Sequence, residues 1–155
     1  MRMRGFTLLE MVIVVMIVGI LASAAVPLTA LHQRRQDEAE LRSGLRTIRL
    51  ALDAYKRAWD QGQIEKKEGE TGYPPTLDVL VSGVVDIRQT TPRRIYFLRR
   101  LPRDPFAPIT EPAAATWGLR SYASPPGQPQ PGADVFDVYS RTDGAGLDGV
   151  PYRQW

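Results

Sequence analysis

Two places in this sequence combine residue types with a chemical use. The first is Glu10, a lone carboxylate inside the apolar run that starts at Phe6 and ends near Pro27. An ionised carboxylate in hydrocarbon costs about 2.5–3.5 kcal/mol on insertion scales. Such a residue needs a partner, and a cation buried among packed helices would compensate it. The second is the C-terminal stretch 137–149, where oxygen donors alternate with glycines. Asp143 and Asp148 are the strongest side-chain candidates for holding a cation, with Ser140 and backbone carbonyls near Leu147 as weaker ones. Calcium takes roughly six to eight oxygens in flexible geometry, and glycines let a short loop fold around it. The stretch lacks the D-x-D-x-DG spacing and closing glutamate of an EF-hand. An Asp-Gly turn tied by its own hydrogen bonds accounts for the same residues, and both readings stand at this point.

Other chemistry is thin. The chain has no cysteine and one histidine, and it carries neither a phosphate loop nor a Ser-His-Asp set. The C-terminal aspartates lack a second acid-base partner, so the chain reads as a non-enzyme. His32 reads as a membrane-boundary residue. The formal net charge of +3 is a mild basic bias that does not imply nucleic acid. Arg93, Arg94, Arg99, Arg100 and Arg103 read as a solvated loop or subunit contact, because no base-stacking aromatics interleave with them on a recognisable module.

The elements that position these residues follow from hydropathy. From Phe6 there are about 26 mostly apolar residues, enough to cross a bilayer as a helix. Pro27 removes a backbone donor and predicts a bend. After His32 the composition turns charged, but Leu41, Leu45, Ile48, Leu52, Tyr55 and Trp59 recur at spacings of four and three. That is an apolar stripe on one helical face. Asp37, Arg42, Arg46, Arg49, Asp53, Lys56 and Arg57 fall largely off it and are expected to meet solvent or other subunits. Gly62 is the expected stop. One helix from Phe6 to about Gln61 would be about 80 Å long.

Prolines and glycines, 13 of each, lie mostly in the second half and predict a loop-rich region. A short helix is expected from about Leu77 to Val81, with Thr76 as its N-cap and Gly83 as its end. Val84 to Thr91 has no decisive pattern, and Pro92 to Arg94 reads as a turn. Pro102 and Pro105 stiffen a loop that Leu101 and Phe106 anchor, with Asp104 accepting backbone hydrogen bonds. Trp117 to Ala123 and Asp134 to Ser140 read as strands. The expected fold is α+β: a long N-terminal helix packed on a small antiparallel sheet, with a loop-rich C-terminus fixed by Trp155.

Two ordinary readings of the N-terminus compete. Arg2 and Arg4 with Ala22-Ser23-Ala24 could make a secretory signal peptide; the same residues could make a plain single-span anchor. Neither explains a glutamate directly after Gly-Phe-Thr-Leu-Leu, since signal h-regions are normally uncharged.

Gly5-Phe6-Thr7-Leu8-Leu9-Glu10 after a short basic leader resembles the class III signal of type IV pilins and type II secretion pseudopilins. The Leu101-Pro102-Arg103-Asp104-Pro105-Phe106 stretch and the aromatic C-terminal end resemble the major pseudopilins. The resemblance implies a leader at 1–5, a transmembrane helix at 6–31, its amphipathic continuation at 32–61, and a periplasmic globular part at 62–155. It implies cleavage after Gly5 by a prepilin peptidase, methylation of Phe6, and pairing of Glu10 with the N-terminal amine of a neighbouring subunit. The implied partners are further copies, minor pseudopilins and an inner-membrane assembly platform; the implied function is a pseudopilus subunit in protein export. The resemblance also implies a bound calcium ion in the C-terminal loop, a device suited to a chain without disulfides. The alternatives are a type IV pilus subunit, serving adhesion, motility or DNA uptake, and a membrane-anchored binding domain that does not polymerise.

Overall fold

A computed structural model describes residues 7–155, without the side chains of residues 23–28. Helix α1 runs over Leu8–Asp60. Thr7 caps its start: Oγ1 accepts the backbone N–H of Glu10 at 3.3 Å, and its carbonyl accepts that of Met11 at 3.2 Å. A threonine with a glutamate three residues on is the pattern of a capping box, and one arm of that exchange is made here. The other end closes where expected. The N–H of Gln63 reaches the carbonyl of Ala58 at 2.9 Å, and that of Gly62 reaches Trp59 at 3.0 Å. This double closure needs a left-handed residue, and Gly62 supplies it at φ 71°.

The chain divides into two units, residues 1–36 and 37–155. In the first, every residue from Thr7 to Ala22 is exposed, with Leu8 at 83%. Among the described residues no helix is long and apolar enough to cross a membrane.

The second unit is built on the stripe of α1. Leu41, Leu45, Ile48, Leu52 and Tyr55 are all buried, Ala51 and Ala58 fill the spaces between them, and Trp59 packs at the edge. Burying an aliphatic side chain of this size contributes about 1.5–3 kcal/mol, so this face holds the unit together. It meets Leu77, Leu80, Trp117, Val135, Val138 and Tyr152.

Helix α2 spans Asp78–Ser82. It is shifted by one residue from the expectation, and Thr76 is not its cap: Leu77 holds that position and makes no side-chain cap bond. The carbonyl of Thr76 instead accepts the N–H of Val79. Gly83 ends the helix at φ 73°, as expected.

The sheet is two separate antiparallel pairs. Strand β1 (Val84–Asp86) pairs with β2 (Arg93–Ile95), and β3 (Trp117–Arg120) with β4 (Asp137–Ser140). The turn expected at Pro92–Arg94 is therefore half wrong, because Arg93 and Arg94 lie in β2 opposite Asp86 and Val85. Arg94 also donates to the carbonyl of Ser82 at 2.7 Å, which ties β2 to the end of α2. The expected strands at 117–123 and 134–140 each lose their outer residues. Ser121 bonds to the carbonyl of Gln130, while the buried carboxylate of Asp134 accepts the N–H of Tyr122 at 2.9 Å and the hydroxyl of Thr71. A side chain replaces the ladder there. On β3, Gly118 lies under the ring of Tyr139; a Cβ at that glycine would fall 2.3 Å from the ring.

Candidate functional site

At the N-terminus, Glu10 falls in the first turn of α1. A carboxylate there is favoured by the helix dipole, and it is exposed among exposed apolar neighbours. Gly5 and Phe6 lie outside the described residues. His32 shares a hydrogen bond with Gln36 one turn further on, at 3.0 Å. Among the described residues, no group of acidic or histidine side chains gathers there to make a metal site.

The proline-stiffened loop is fastened through Asp104, which is 1% exposed. Its Oδ1 accepts the N–H of Phe106 at 2.9 Å, and its Oδ2 accepts the hydroxyl of Ser140 at 2.5 Å. Trp117 adds an indole N–H to the carbonyl of Pro102 at 2.9 Å. Leu101 and Phe106 pack on the core, the anchoring expected of them.

The C-terminal loop closes on itself and then on α1. The N–H of Gly146 reaches Val150 at 2.8 Å and that of Tyr152 reaches Gly144 at 3.1 Å, with a bridge between Ala145 and Pro151. Tyr152 stacks on Phe106 with ring centroids 4.7 Å apart and meets Trp155 edge-on at 5.0 Å. Three side chains of α1 reach over to this assembly. Glu38, 4% exposed, accepts the N–H of Leu147 at 2.9 Å and the phenol of Tyr152 at 3.0 Å. Arg42 pairs with Asp148 at 2.9 Å and lies 4.0 Å over the Trp155 ring. Arg49 donates to Asp137 at 2.8 Å and to the carbonyls of Val138 at 3.1 Å and Trp155 at 2.7 Å.

The residues expected to hold calcium do not converge. Asp148 gives one oxygen to Arg42 and the other to the N–H of Val150 at 3.0 Å. Ser140 is buried and turned to Asp104, Asp143 is exposed, and Leu147 is drawn to Glu38. Among the described residues no group of three or more His, Cys, Asp or Glu could hold a metal ion. The arrangement does not fit a resident calcium ion.

Glu38, Arg42 and Arg49 are not singled out as site residues by the sequence reading. For Glu38 a signal exists: it continues the stripe by one more step of three before Leu41. A carboxylate on an apolar stripe calls for buried donors. Arg42 and Arg49 are expected on the outward charged face, yet they hold the C-terminus within the unit.

Basic residues followed by Gly-Phe-Thr-Leu-Leu-Glu and an exposed apolar helix are the pattern of the prepilin class. Comparison agrees: residues 1–26 match the Prokaryotic N-terminal methylation motif family. Type II secretion system core protein G of Klebsiella pneumoniae is 31% identical over 155 residues, covering 97% of this chain and 89% of that protein. The protein of the same name from Dickeya chrysanthemi is 31% identical over 156 residues, covering 97% and 81%. The type IV major pilin protein PilA of Myxococcus xanthus is 41% identical, but over 54 residues, 35% of this chain and 24% of that one. No solved structure is significantly similar. The chain belongs to the type II secretion system core protein G family, the major pseudopilins.

Proposed function

We propose that the chain polymerises into the pseudopilus of a type II secretion system and acts there as a structural rather than a catalytic subunit. Leader cleavage after Gly5 and methylation of the new N-terminus at Phe6 by a prepilin peptidase precede assembly. Residues 6–31 then anchor the chain in the inner membrane, with the globular part in the periplasm. The observation that carries this reading is the uncovered face of α1 from Thr7 to Ala22, apolar except for Thr7, Glu10 and Gly19. Lipid covers that face in the monomer, and packed helices of other copies cover it in the filament. Once there, an unpaired Glu10 is penalised and a Glu10 facing a neighbour's N-terminal ammonium is compensated, which sets the register of each added copy. Minor pseudopilins and an inner-membrane assembly platform complete the partner set.

Replacing Glu10 with glutamine tests the reading. The variant is expected to insert in the membrane and to be processed, but to form no filaments. Filaments of normal length from Glu10→Gln would contradict it. The local similarity to a type IV pilin supports a pilus subunit as the second reading. Deleting the chain separates the two: loss of protein export with surface pili intact supports the pseudopilus, and the reverse supports the pilus.

A further inference from the structure

Beyond that reading, and independent of whether the chain polymerises, we infer that the C-terminal loop is seated by a side-chain latch from α1 that performs the task of a divalent cation, so that its closure does not depend on calcium. A metal in such a loop does two things: it neutralises carboxylates and it ties backbone segments to a common point. Both tasks have protein partners here. The carboxylate of Asp148 is neutralised by Arg42 at 2.9 Å, and the same guanidinium covers the Trp155 ring. The backbone is tied by Glu38, which takes the Leu147 N–H and the Tyr152 phenol on one buried oxygen.

Geometry makes the latch a unit. Glu38 and Arg42 are four residues apart and therefore neighbours on one face of α1. They present an anion and a cation, one turn apart, to a loop whose matching groups are an N–H with a phenol and a carboxylate. The two halves differ in weight. Arg42 and Asp148 are about half exposed, with side chains at 52% and 45%, and exposed ion pairs contribute little. Glu38 is buried together with the phenol of Tyr152, where a missing acceptor is costly. Glu38 is therefore the main fastening, and Arg42 orients Asp148 and the C-terminal tryptophan.

The test uses the full chain in detergent micelles, followed by tryptophan fluorescence on heating and by hydrogen exchange at the Leu147 amide. The wild type is expected to melt at the same temperature in calcium chloride and in EGTA. Glu38→Gln, and more mildly Tyr152→Phe, are expected to speed exchange at the Leu147 amide, by about tenfold for Glu38→Gln; Arg42→Met is expected to have a smaller effect. A calcium-dependent rise in the wild-type melting temperature, reversed by EGTA, would mean that a cation binds the folded state and would overturn the inference. Leu147 exchange that is unchanged in both Glu38→Gln and Tyr152→Phe would overturn it as well. Tyr152→Phe keeps the ring packing on Phe106, so this arm holds even where Glu38→Gln fails to fold.

Discussion

Asp104 offers the sharpest energetic test of how the proline-stiffened loop is joined to the sheet. Its carboxylate is 1% exposed and serves two donors from different segments, the Phe106 N–H at 2.9 Å and the Ser140 hydroxyl at 2.5 Å. Asp104→Ala deletes the shared acceptor and leaves both donors where water barely reaches. Hydrogen bonds to a charged group contribute about 1.5–3 kcal/mol each, and a buried donor left unmatched costs about 1–3 kcal/mol. These overlap, because Ser140 can turn toward another acceptor, so the expected loss is about 3–5 kcal/mol. Against a total stability of about 5–15 kcal/mol, that corresponds to a fall in melting temperature of roughly 10 °C or more. Asp104→Asn keeps an acceptor for Phe106 but sets an NH2 against Ser140, and is expected to cost about 1–2 kcal/mol. Thermal melts by near-ultraviolet circular dichroism would be run on both variants, on Ser140→Ala and on the double variant. The double variant is expected to lose less than the sum of Asp104→Ala and Ser140→Ala, since the two share one bond. An Asp104→Ala protein within about 1 kcal/mol of wild type would refute the reasoning.

Gly118→Ala is expected to destabilise by about 1–3 kcal/mol, because its Cβ would fall 2.3 Å from the Tyr139 ring and push it off β3; Tyr139→Ala in the same background should recover part of the loss, read by the same melts. Burial, and secondarily the charge of Glu70, raises the phenol pKa of Tyr55 above its ordinary value, and burial does the same first of all for Tyr73. The folded state then holds these protons more tightly than the unfolded one. Their contribution is complete below about pH 10 and is lost as pH climbs through the raised folded values. The melting temperature is accordingly expected to fall above about pH 10, and Tyr55→Phe to make that fall shallower; an unaltered alkaline slope in Tyr55→Phe would contradict the assignment.

The parts legible in the sequence were those set by local periodicity. The stripe from Leu41 to Trp59 predicted the buried face of α1, Gly62 and Gly83 predicted two helix ends, and Leu101, Asp104 and Phe106 predicted how their loop is fastened. What escaped was decided by distant partners. Arg93 and Arg94 carry no strand pattern of their own and become β2 only because Val85 and Asp86 lie opposite. Asp134 reads as a strand residue but acts as a side-chain acceptor that ends the ladder between β3 and β4. In the C-terminal loop the oxygens of Asp148 and Ser140 suited a cation on composition alone. Their actual partners are Arg42, 106 residues away, and Asp104, 36 residues away, pairings that no local spacing encodes. Glu38 was the readable exception, a carboxylate in register with an apolar stripe.

The central claim is that the chain is processed and assembled as a pseudopilin. The intact mass and N-terminal sequence of the mature protein, taken from its native membrane, test this most directly. The expected result is a chain that begins at Phe6 and carries one N-methyl group. A mature N-terminus near Ala25, or an intact Met1, would contradict the claim: the first would mean an ordinary signal peptide, and the second a plain anchor with no filament to enter.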